Sequence, residues 1–217
     1  MIMKKIITFL FLLFILKLGF SYDFSYNKPL FNKPVQLFNS PIHLQDSIKL
    51  LPDKYLFTQR ILWGERGLMR YFNTFKLSPT SRDLEMNIRS IMITSHQYLA
   101  FASLVGMLGT GITGQFVYSG NREIKDIHEG FATFTNITYF TSLGTILFTP
   151  PPMKNRATGF TKFRIHRTLS IVHVTSMLAV NILSELIDDY PSLKPYHRAA
   201  GIAAFSSLFV ATVTIKL

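Results

Sequence analysis

The sequence predicts an all-α membrane protein: a transmembrane up-down four-helix bundle preceded by a signal peptide and a basic interfacial segment. Hydrophobic residues make up 48% of the 217 and charged residues only 16%, against roughly 25% charged in soluble domains. Four apolar stretches, 88–118, 127–149, 165–187 and 197–217, each approach the ~20 residues that cross a ~30 Å hydrocarbon layer. The breaks between them are short and rich in Gly, Pro and charge, so consecutive helices should be antiparallel neighbours.

Composition also excludes. A mean hydropathy of +0.25 is incompatible with disorder, which needs low hydrophobicity and high charge. Cysteine is absent, which removes disulfides, iron–sulfur clusters, zinc–thiolate sites and covalent haem attachment. Lys and Arg outnumber Asp and Glu by 23 to 12, a net +11. In so apolar a chain that charge points to anionic lipid rather than nucleic acid.

Residues 1–21 read as a secretory signal: Lys4 and Lys5, an apolar run from Ile6 to Leu16, then Gly19 and Ser21 before a cleavage point. Residues 22–53 carry Pro29, Pro34, Pro41 and Pro52 among Asn, Lys and Ser, and read as an extended tether. Within 54–87, Arg60, Arg66 and Arg70 alternate with Leu62, Trp63, Leu68, Met69, Tyr71, Phe72 and Phe75. This is the pattern of an amphipathic segment at a membrane surface, interrupted by Gly64 and Gly67. Thr80 and Asp83 suggest a capping box opening the first long helix. Residues 88–217 form the four-helix membrane domain.

Five of the six histidines fall in the apolar stretches: His96, His128, His166, His173 and His197. Ionisable groups in a membrane span are costly, so each is a functional candidate. Let side A be the face bearing 22–87. His96 lies seven residues past Arg89 and His173 six past Arg167, placing both ~10 Å below side A at 1.5 Å per residue. His128 and His197 closely follow Lys125 and Lys194 and are shallow on side B. The result is two depth-matched pairs on alternate, diagonal helices, an arrangement that can clamp a flat macrocycle from both faces. Small residues accompany each histidine, including Gly106, Gly109 and Gly114 near His96 and Ala200, Ala204 and Ala211 after His197. They leave room for a porphyrin, and they equally serve close helix packing in lipid.

On these placements, in HQYLAFASLVGMLGTGITGQ, IHEGFATFTNITYF, IHRTLSIVHVTSML and YHRAAGIAAF, the chain resembles the cytochrome b561 family and its ferric-reductase-like relatives over about 88–217. The resemblance implies two non-covalent b haems, each with two histidines on iron, passing single electrons across the membrane. Carried over, the ligands are His96 with His173 and His128 with His197. His166 is the alternative to His173, and beside Arg164 and Arg167 it suits haem propionates or an anionic reductant. The chain lacks the two extra flanking helices and any recognisable ascorbate signature of the ascorbate-dependent members.

Two other readings use the same features. A quinol-oxidising haem b subunit of a dehydrogenase complex would also place histidines in four helices. A haem-free transporter or scaffold would want intramembrane carboxylates, whereas Glu129 and Glu185 sit near helix ends. The expected partners are membrane lipid, a small-molecule or protein electron donor and acceptor, and a second copy in a homodimer; nucleic acid is not expected. Any enzymatic activity would be that of a transmembrane oxidoreductase such as a ferric reductase. The signal places side A outside a bacterial inner membrane, although Lys154, Arg156, Lys162, Arg164 and Arg167 on that side pull against it by the positive-inside rule.

Overall fold

In the computed structural model, residues 49–153, 159 and 161–216 are described. The expected signal peptide, most of the tether and the basic stretch 154–158 lie outside the described residues. Those described are helical, with no strand among them: α1 (Phe57–Trp63), α2 (Pro79–Tyr118), α3 (Lys125–Phe148), α4 (Lys162–Leu186) and α5 (Lys194–Lys216).

Two helices, α2 and α4, are long and apolar enough to cross a membrane, and so is Pro191–Ile215, which joins α5 to the turn before it. Four such helices were expected. The shortfall is α3, 24 residues long, whose Thr133, Thr135, Asn136, Thr138, Thr141, Ser142 and Thr145 dilute its apolar character. Several of these groups are satisfied within the helices. Thr138 accepts from the Ser103 hydroxyl at 3.1 Å and donates to the Phe134 carbonyl, and the Thr110 and Thr135 hydroxyls meet at 3.2 Å. Internal pairing of this kind lets a polar helix persist in an apolar medium.

The opening of α2 is a Ser78 cap: Ser78 Oγ accepts from the Ser81 amide and the Ser78 amide donates to Ser81 Oγ, each at 3.1 Å. Pro79 occupies the first turn, where its missing N–H costs nothing. The helix therefore opens two residues before the expected Thr80–Asp83 pair. At 40 residues it is ~60 Å long, so its first turns run beyond the end of α3.

Side-chain bonds fix the register. Along α2, His96, Ser103, Thr110 and Gly114 meet Ser142, Thr138, Thr135 and His128 of α3 in turn. His166 and His197 likewise meet Ala211 and Val180 across α4 and α5. The molecule is thus two antiparallel hairpins. They join through a mid-level core of Leu104, Met107, Tyr139, Met177 and Leu208 and through the Asn136–Asn181 amide pair.

The α2 glycines serve the hairpin contact. A Cβ on Gly109 would stand 2.6 Å from the Phe131 ring, and one on Gly106 2.6 Å from Thr135 Oγ1. These positions admit the side chains of α3, so the expectation that they leave porphyrin space fails for Gly106 and Gly109.

The 54–76 segment is a folded cap rather than one surface helix. After α1 the chain makes short 3₁₀ turns at Leu68–Tyr71 and Asn73–Phe75. From α1, Thr58 Oγ1, Gln59 Nε2 and Trp63 Nε1 donate to the carbonyls of Leu147, Thr149 and Phe148 at 2.6, 3.1 and 2.9 Å. A helix leaves its last four carbonyls without intrahelical partners, and α1 supplies donors at this end of α3. Arg70 is not a membrane-facing charge. It turns inward to pair with Glu85, which also pairs with Arg82. Arg70 further donates to the carbonyls of Trp63 and Phe75 at 2.5 and 2.7 Å, while Arg82 reaches Leu50 and Pro151 at 3.0 and 2.9 Å. Exposed Phe57, Ile61, Leu68, Tyr71 and Phe72, with Arg60 and Arg66, give the outside of the cap the aromatic and basic character expected of an interfacial surface.

Candidate cofactor site

Histidines gather at two ends of the hairpin pair. Along α4, His166, His173 and Val180 are seven residues apart, so they mark levels ~10 Å apart. His96 lies at the His166 end, where the two imidazole centres are 6.4 Å apart with planes at 86°. His173 is at mid-level. His197 binds at Val180 and His128 at Thr110, on the other side of that level from His166. At one end the structure sets His166, rather than the expected His173, beside His96. Arg164 and Arg167 stand exposed on the first turns of α4, at the His166 end.

Four of the five imidazoles are held in one way. Nδ1 of His96, His128, His166 and His197 lies 3.0, 3.0, 3.2 and 3.1 Å from the carbonyl oxygens of Ser142, Thr110, Ala211 and Val180. Each carbonyl belongs to the neighbouring helix of the same hairpin. A helical carbonyl bonded to its own i+4 amide keeps a second lone pair, which makes these bonds available without breaking the helix. A carbonyl can only accept, so Nδ1 carries the proton and Nε2 presents a bare lone pair. Metal-binding histidines are oriented in this manner, through their other ring nitrogen.

His173 differs. It is 7% exposed, its Nδ1 lies 2.7 Å from the Tyr139 hydroxyl, and Tyr139 is 3% exposed. No sequence pattern marks these partners, because a backbone acceptor leaves no side-chain signature.

The donor chemistry fits a haem. Among the described residues no three His, Cys, Asp or Glu side chains converge as a bare metal ion would require. A porphyrin supplies four equatorial nitrogens itself and needs only two imidazoles. His96 with His166 or His173, and His128 with His197, are the residues that would hold such a group.

No family model, no curated protein and no solved structure matches this chain. The family resemblance therefore stands on histidine placement alone.

The seating of His128 yields a direct prediction. A Cβ on Gly114 would come 2.8 Å from His128 Cε1 and 3.0 Å from Nδ1. Gly114→Ala should displace the ring from the Thr110 carbonyl at a cost of ~1–3 kcal/mol, the range for overfilled interiors. The variant should unfold at a lower temperature than wild type, followed by far-UV circular dichroism. An unchanged midpoint would show that the α2–α3 contact takes up the methyl without moving His128.

Proposed function

We propose that the chain is an integral, multi-pass electron-transfer protein, b561-like, whose four long helices span the membrane as an up-down bundle holding two non-covalent b haems. The observation that carries this reading is the pair of diagonal histidine groups at opposite ends of the core, with four imidazoles presenting Nε2 from carbonyl-anchored rings. Haem iron supplies one-electron chemistry whose potential follows axial ligation, hydrogen bonding and burial. The chain's own residues do the rest. His96 and a histidine of α4 serve side A, and His128 and His197 serve side B. A haem held between two such histidines would supply electron relay rather than oxygen chemistry. The span from His166 to Val180 is 14 residues, so the two levels are ~21 Å apart, with Met107, Tyr139 and Met177 packed between them.

The proposed location is a bacterial inner membrane with the cap outside, and the partners are a small-molecule or protein donor and acceptor on opposite faces. A ferric-reductase-like activity is consistent with Arg164 and Arg167 facing an anionic substrate at the side-A end. A pyridine haemochrome assay on the purified full chain should give two b haems per polypeptide and a reduced-minus-oxidised spectrum of low-spin type. A count of one would favour the quinol-oxidising subunit, and none would end the cytochrome reading.

A further inference from the structure

We infer that His166, and not His173, is the α4 histidine that partners His96 on the side-A iron, and that His173 is reserved by Tyr139 as a hydrogen-bonded bridge between the hairpins. The inference rests on the dihaem reading and runs against the carry-over from family resemblance, which selects His173.

Tautomer chemistry separates the two histidines. His166 gives its Nδ1 proton to the Ala211 carbonyl at 3.2 Å, as His96 does to Ser142 at 3.0 Å, so both leave Nε2 unprotonated. His173 faces a hydroxyl instead. Among the described residues the Tyr139 hydroxyl has no other acceptor than His173 Nδ1, at 2.7 Å. The phenol therefore donates, Nδ1 accepts, and the single proton of the neutral ring resides on Nε2. A protonated Nε2 has no lone pair for iron. To ligate, His173 would have to move its proton to Nδ1 and leave a buried phenol without an acceptor.

Position agrees. His96 and His166 stand with ring centres 6.4 Å apart, while His173 lies two turns deeper, at the level of the apolar core. There it joins α4 to α3 through Tyr139, which lies about one turn along α3 from Asn136, whose pair with Asn181 does the same.

The test uses the full-length protein in detergent, reading haem per chain and the low-temperature EPR of the ferric form. His166→Ala should bind one haem instead of two and lose the same low-spin signal that His96→Ala loses. His173→Ala and Tyr139→Phe should keep two haems with both signals. His166→Gly supplied with imidazole should recover the lost signal, which a variant that merely misfolds would not. Loss of the side-A signal in His173→Ala overturns the assignment whatever His166 does. A wild-type chain without haem overturns the dihaem reading itself, and the assignment with it.

Discussion

Glu85→Ala is expected to unfold the cap while leaving the long helices in place. Glu85 and Arg82 are fully buried and Arg70 is 8% exposed, and the carboxylate lies between the two guanidinium groups. Removing it leaves two buried positive charges facing each other, and breaking a buried pair from one side typically costs about 3–5 kcal/mol. The loss should stay local, because the two arginines hold the cap to its surroundings: Arg70 binds Trp63, Gly64 and Phe75 carbonyls, and Arg82 binds Leu50 and Pro151. The chain's single tryptophan is Trp63, 5% exposed within the cap, so its fluorescence reports this region directly. In Glu85→Ala the Trp63 emission should shift red at lower denaturant than in wild type, with far-UV circular dichroism largely retained. Coincident, unshifted transitions would show that the ionic cluster does not hold the cap.

The long helices, their order and the two-ended placement of histidine were legible because apolar length and charged breaks are properties of local sequence. The choice between His166 and His173 was not. Seven residues are two turns, so both lie on nearly the same face of α4, and only depth separates them. Counting from Arg167 puts His173 six residues deep, but α4 begins at Lys162, so that depth is about a turn too shallow. The small residues of α2 misled for a related reason. Gly106 and Gly109 mark a close approach, yet sequence does not say whether a porphyrin or the Phe131 and Phe134 rings fill it. The Arg70–Glu85–Arg82 cluster was invisible because its members lie up to 15 residues apart and meet only once the cap folds back on α2. Their one signal was three charges close together in a chain with few.

His128→Ala and His197→Ala should each remove the same haem, and the double variant should lose nothing more. The two residues lie on α3 and α5, which are diagonal, and each is anchored to a helix of its own hairpin: His128 to Thr110 and His197 to Val180. Neither ring needs the other to be positioned, so in a protein without cofactor the two substitutions would act independently and their effects would add. An iron shared as proposed would change that, because loss of either imidazole would already cost the site. Expected counts are two haems in wild type, one in each single variant and one in the double, with the side-A EPR signal unchanged throughout. The apo protein supplies the control: thermal unfolding of the two single variants should be additive in the double when haem is absent and strongly non-additive when it is bound. Two haems retained in either single variant, or a double variant that loses both, would separate His128 from His197 and dissolve the side-B site.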